Sequence, residues 1–275
     1  MSLQAPPLVV ASNRLPIVLS SDDKGDWSLE RGSGGLVTAL EPVLRHRGGV
    51  WIGWPGIEDG RVPELERVLE QATEGMGYRL KDVSLTAAEE EDFYLGFSNQ
   101  VIWPLFHDFQ SQCNFEPRFW HTYLRVNRKF AAVVEDVASP GDFVWVHDYH
   151  LMTVGRHLRE AGADHRLGFF LHIPFPPLDV FVNLPWRFPV LDALLSYDLV
   201  GFQTARDRRN FLHCVRTLVP EAEVEGETRL KATLSGPSLS AISSRRAAVR
   251  SRASSQLIRC QPGSGSPLGR VRIKG

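Results

Sequence analysis

Along the first 220 residues, short β-branched and aromatic runs alternate with longer stretches of helical period, and that alternation admits few architectures. The strand-like runs are Leu8–Ser12, Val50–Trp54, Tyr78–Ser84, Phe143–His147, Arg166–His172 and Leu199–Gln203. Helical patterns fall near 35–47, 62–74, 86–100, 117–138, 151–161, 187–196 and 205–218. Short strands separated by helices predict a parallel sheet covered on both faces. Thr86-Ala-Ala-Glu89 offers a capping box for the third helix, satisfying two free backbone donors at its start. Pro140-Gly141-Asp142 and the prolines at 174, 176 and 177 punctuate the chain as loops.

In open α/β sheets, ligands bind outside the carboxyl ends of the strands. Polar residues stand at that edge four times: Asn13-Arg14, His147-Asp148-Tyr149-His150, His172, and Gln203-Thr204. Together they describe a site. Arg14 offers a fork of donors to a phosphate or carboxylate, against the plainer alternative of a surface salt bridge. Gly32-Ser33-Gly34-Gly35-Leu36 precedes a helix, where backbone N–H groups and the helix dipole suit a phosphate. It is no dinucleotide fingerprint, since Val37 stands where a glycine is needed, and no Walker loop; the plainer alternative is a hairpin tip.

The imidazoles and carboxylate of 147–150 with His172 could be metal ligands. If the strand persisted, however, Asp148 and His150 would share one face and His147 the other. They read better as groups that hydrogen-bond a polyhydroxylated ligand or balance charge in a glycosyl transition state. Tyr94 and Trp103, on either side of Phe97-Ser98-Asn99, are the amphipathic aromatics of a sugar site, or else core.

Composition divides the chain. Net charge is −1, yet from Lys231 onward there are nine Lys or Arg and no Asp or Glu, leaving 22 basic against 32 acidic residues before it. That tail also has no Phe, Tyr or Trp. The expectation is an α/β domain over 1–225 and a basic, Ser/Arg-rich, disordered tail over 226–275. Arg245, Arg246, Arg250 and Arg252 could meet a nucleic-acid backbone, but without interleaved aromatics the unstructured reading is preferred. Cys113, Cys214 and Cys260 form no CxxC pair and suit a reducing compartment. Leu8–Ala11 lacks a basic leader and no apolar run reaches membrane-spanning length, so a cytoplasmic protein is expected.

In order, LVVASNRLP, GSGGL, GVWIGWPG, FSNQVIWPLFH, YLRVN, VWVHDYHLM, RLGFFLHIPFP and YDLVGFQT resemble the trehalose-6-phosphate synthase family of retaining glycosyltransferases, over residues 8 to about 218. The resemblance implies the Rossmann-like N-terminal domain of a two-domain GT-B fold. It implies glucose transfer from UDP-glucose (sometimes GDP-glucose) to glucose 6-phosphate with retention, no cofactor and no catalytic metal. By motif position Arg14, Tyr94 and Trp103 would hold the acceptor phosphate and Asp148 the acceptor sugar. His172 would contact the donor glucose, and Gly34 and Gly35 would approach its diphosphate. Asp148 and His172 are thus the expected catalytic pair.

Expected partners are these small molecules, with no membrane or nucleic acid and room for homo-oligomerisation. Leu184-Pro185-Trp186-Arg187 also fits a glucosylglycerol-phosphate synthase, and a non-catalytic sugar-phosphate-binding or regulatory protein is a further alternative. After about Val219 the motifs cease. Ser235–Ser240 can be encoded by a string that, read two bases later, gives Gly-Ala-Phe-Pro-Ile, a segment of the kind the family has where its second domain begins. A frameshifted or truncated reading frame, inactive on its own, is therefore expected.

Overall fold

In the first strand, β1 (Leu8–Arg14), burial alternates between two cores, which requires a layer on each side of the sheet. Val9 and Ala11 pack into one core; Leu8 and Val10 pack into the other. The computed structural model describes residues 7–21, 27–60, 62, 65–220, 222–225, 229–233, 244–251 and 271–273.

Beside β1 lie β4 (Gly49–Trp54) and then β5 (Arg79–Asp82); on its other side lie β6 (Phe143–His147), β7 (Arg166–Leu171) and β8 (Leu199–Phe202). All five pairings are parallel. The expected doubly covered parallel α/β sheet is therefore present, with each strand end within a few residues of its expected place. Helices α1 (Gly35–Arg47) and α2 (Leu65–Ala72) serve the smaller core. The larger one takes α5 (Pro117–Val137), α6 (Val154–Glu160), the short α7 (Leu178–Phe181), α8 (Arg187–Leu195) and α9 (Ala205–Leu218).

Strand order reverses at β1: the chain builds outward through β4 and β5, then returns to lay β6 against β1's other edge. The carboxyl ends of β1 and β6 thus adjoin at a topological switch point, where such sheets open a crevice.

Several elements differ from expectation. A hairpin, β2 (Ile17–Ser21) with β3 (Trp27–Arg31), lies between β1 and the glycine run. Its signal was the alternation of buried Ile17 and Leu19 about exposed Val18. The helix expected over 86–100 starts as the short α3 (Ala87–Glu89), with the Thr86 capping box in place. It then widens into a π-helix over Glu90–Ile102 and closes as α4 (Trp103–Phe106).

In the segment expected to be a disordered tail, the described residues form β10 (Arg229–Thr233), β11 (Ser244–Ser251) and β12 (Val271–Ile273). β11 pairs parallel with β8 and antiparallel with β10, which pairs with β9 (Ala222–Glu225). β12 adds to the hairpin. Residues 226–228, 234–243, 252–270 and 274–275 of that segment lie outside the described residues.

Candidate functional site

The site grows from the ends of β1 and β6. Ser12 and Asn13 are buried at the end of β1, and Arg14 turns outward. The Arg14 guanidinium lies over the Trp54 ring, 4.2 Å from its centroid. Trp54 is held in turn by its indole N–H, which donates to the Ile57 carbonyl at 2.8 Å. Gly56, at φ +87°, lets the guanidinium pass: a Cβ there would overlap Arg14 Nη1.

Tyr94 completes this notch. Its ring meets Trp54 edge-on at 6.0 Å and stacks on His150 at 5.8 Å. Burial, and then the Arg14 charge, push His150 down to about 3, so its imidazole is neutral and the positive charge of the notch sits on Arg14. The result is a cation set among three rings, a shape and charge suited to a phosphate monoester.

β6 does not continue past His147. Asp148 takes φ +73°, a left-handed conformation that a non-glycine residue adopts at a cost of about 1–3 kcal/mol. Its Oδ1 accepts from the backbone N–H groups of Tyr149 at 2.9 Å and His172 at 3.1 Å. The turn that follows, Tyr149–Leu151, rests on two α5 side chains from the YLRVN run. Tyr123 Oη donates to the Tyr149 carbonyl at 2.8 Å and accepts from Met152 N–H at 2.9 Å. Asn127 Nδ2 donates to the His150 carbonyl at 3.0 Å, and its Oδ1 accepts from Thr153 N–H at 3.1 Å. Both side chains are fully buried, so the turn is built on a rigid floor.

Burial pushes the Asp148 carboxyl up to about 6, although both backbone donors pull it down. A carboxylate that resists ionisation, in a strained turn at a switch point, is the kind of group a site retains for chemistry. On the other side of the turn, His147 Nδ1 and His172 Nε2 stand 3.0 Å apart. Gln203 Nε2 donates to the His172 carbonyl at 3.2 Å. One turn therefore joins the Arg14 notch, through His150, to His172, through His147 and Asp148.

A cleft of about 480 Å³ opens beside His172, between His107 and Asp108, the Pro174–Pro177 segment and Arg206 at the start of α9. The prolines were read in the sequence as a loop signal, and Pro174 and Pro176 as part of the motif RLGFFLHIPFP. Among the described residues Trp103 makes no ring contact with Arg14 or Tyr94. It is 39 % exposed and stacks on His107 at 4.3 Å and on Phe109 at 6.1 Å, bordering the cleft instead.

Gly34 and Gly35 sit at the N-terminus of α1, and a Cβ on either would meet nothing within 4 Å. The run follows the hairpin and is not its tip. No packing in the described chain demands glycine at these two positions. Two residues the sequence did not single out matter here: Trp54, the shelf under Arg14, and Asn99, whose Oδ1 accepts from Tyr149 Oη at 3.2 Å. Among the described residues no group of three or more His, Cys, Asp or Glu side chains could hold a metal ion.

The profile of glycosyltransferase family 20 matches residues 6–250. The chain belongs to that family. The family 20 match runs past Val219, where the recognisable motifs end, and takes in nearly all of β11 beside β8. A trehalose-6-phosphate synthase of Mycobacterium sp. (strain KMS) is 45% identical over 210 residues, 76% of this chain and 41% of that protein.

An α,α-trehalose-phosphate synthase (UDP-forming) from Burkholderia xenovorans, solved in complex with glucose 6-phosphate, superposes with TM-score 0.68 at 29% identity. It covers 89% of this chain and 49% of its own. An E. coli structure described as bound with UDP-2-fluoro glucose gives TM-score 0.68 at 31% identity, over 88% and 48%. The chain thus spans about half the length of the relatives it matches, and the GT-B neighbours agree with the α/β fold.

Proposed function

We propose that this chain is the acceptor-binding part of a retaining glucosyltransferase that joins UDP-glucose and glucose 6-phosphate into α,α-trehalose 6-phosphate. The observation that carries the reading is the Arg14 notch at the switch point, within a family 20 match. Arg14 takes the acceptor phosphate, with the Tyr94 hydroxyl beside it. Asp148, two residues before His150 in the notch wall, takes acceptor hydroxyls.

His172 faces the donor glucose from the cleft, and the open N-terminus of α1 at Gly34-Gly35 receives the donor diphosphate. Trp103 borders the donor cleft, one stacked ring away through His107. The acceptor hydroxyl attacks the anomeric carbon on the face from which UDP departs, through an oxocarbenium-like state. Positioning and charge stabilisation supply the acceleration, and the departing phosphate accepts the proton. No protein nucleophile and no metal take part in this scheme.

Titration calorimetry of the 275-residue polypeptide with glucose 6-phosphate tests the reading. Glucose 6-phosphate is expected to bind at least tenfold more tightly than glucose, a difference of about 1.4 kcal/mol. Arg14→Ala should abolish that preference. Equal binding of the two sugars, or tighter binding of glycerol 3-phosphate, overturns the acceptor assignment. Because the relatives are about twice as long, these residues alone are expected to bind acceptor and to release no measurable UDP from UDP-glucose.

A further inference from the structure

We propose that His147 is a positioning residue that fixes His172 in the tautomer carrying its proton on Nδ1. The geometry behind this is a contact between two ring nitrogens, His147 Nδ1 and His172 Nε2, 3.0 Å apart with ring centroids 5.3 Å apart. A hydrogen bond between two neutral imidazoles needs one donor and one acceptor, so the two tautomers are coupled.

His147 is 1 % exposed at the end of β6, packed against Trp145 with ring centroids 4.7 Å apart. Its other nitrogen, Nε2, is buried without a hydrogen-bond partner among the described residues. A proton on Nε2 would be a buried N–H with no acceptor, whereas a bare lone pair there is the lesser penalty. The single proton of His147 therefore sits on Nδ1 and is donated to His172 Nε2. Burial holds the His147 imidazole well below its usual range, and the neighbouring His172 adds to this, so a second proton does not enter.

His172 is then an acceptor at Nε2 and carries its own proton at Nδ1. Its backbone is held as firmly: the N–H donates to Asp148 Oδ1 at 3.1 Å and the carbonyl accepts from Gln203 at 3.2 Å. Ring and backbone of His172, which lines the cleft, are thus both held by neighbouring residues, and the tautomer does not depend on the proposed function.

Long-range proton–nitrogen correlation spectra of the 15N-histidine-labelled chain, recorded without ligand, read the tautomer directly, with His172→Phe assigning the resonances. The expected pattern is an unprotonated Nε2 and a protonated Nδ1 for His172, independent of whether the chain binds sugars. His147→Phe, which removes the donor, should lose that pattern. His147→Asn, whose amide N–H stands close to the place of Nδ1, should restore it. A wild-type spectrum with His172 protonated at Nε2 overturns the inference even if His147→Phe fails to fold, and so does a folded His147→Phe with the wild-type pattern.

Discussion

Asp148 is held in a left-handed conformation and in buried surroundings that favour its protonated form. Its folded pKa of about 6 lies above its ordinary 3.8, so the folded state holds the proton more tightly than the unfolded chain. The resulting stabilisation is fully present below about pH 4 and is lost as pH rises through 6; above that the buried charge is a net penalty. Asp148→Asn keeps an oxygen to accept from Tyr149 and His172 and removes the charge. The variant is expected to be more stable than wild type by about 1–3 kcal/mol at pH 8 and equal to it at pH 4. Urea midpoints at the two pH values check this, and a constant difference between them counts against the charge as its cause. Gly56 permits a second test, because its positive φ and the guanidinium beside it both exclude a side chain. Gly56→Ala should cost about 1–3 kcal/mol and displace Arg14 from Trp54, lowering glucose 6-phosphate affinity in calorimetry along with the melting temperature.

Helix geometry sorts the aromatic residues of the site. In an α-helix Trp103 would follow Tyr94 by about two and a half turns, on the opposite side, whereas the i→i+5 turns of the π-helix between them bring the two toward one face. The wider turns of the π-helix over Glu90–Ile102 present Tyr94 to His150 and Asn99 to Tyr149. Local sequence carries the capping box at Thr86 plainly but not this widening, since the same residues suit either helix and tertiary packing decides. Gly96 shows that packing: a Cβ there would lie 2.6 Å from the Phe119 ring of α5. The glycine run before α1 behaves oppositely. With open space around Gly35, Gly35→Ala is expected to leave stability unchanged or raise it by about 0.5–1 kcal/mol, as Ala replaces Gly in a helix. Diphosphate affinity should nevertheless fall, in the family member that contains the full donor site. Thermal melting of the variant, paired with UDP binding, separates the two effects; destabilisation would show that the glycine serves the fold and not a ligand.

At the scale of the whole molecule, the sheet was legible because parallel strands buried on both faces read as short continuous apolar runs between helical patterns. Leu8-Val9-Val10-Ala11 is such a run, its residues divided between the two cores. The polar residues at the strand ends marked the ligand edge for the same reason: they interrupt apolar strands where no core remains to fill. The far edge was not legible. Arg, Ser and Ala in Ser244–Ser251 carry no core pattern, yet this strand lies parallel to β8 over Leu199–Phe202. Backbone hydrogen bonding, which is blind to side chains, is the interaction that can hold such a strand there. A four-residue parallel ladder at about 0.5–1.5 kcal/mol per hydrogen bond contributes on the order of 2–4 kcal/mol. Ending the chain at Glu225 would also expose β8 as an unprotected, apolar edge. The truncated chain is therefore expected to melt about 4–15 °C lower, at about 2–4 °C per kcal/mol for a domain of this size, and to associate at concentrations where the longer chain is monodisperse. Calorimetric melting and light scattering of both lengths check this. An unchanged melting temperature would mean that β11 adds nothing to the sheet and that the chain through β9 is stable by itself.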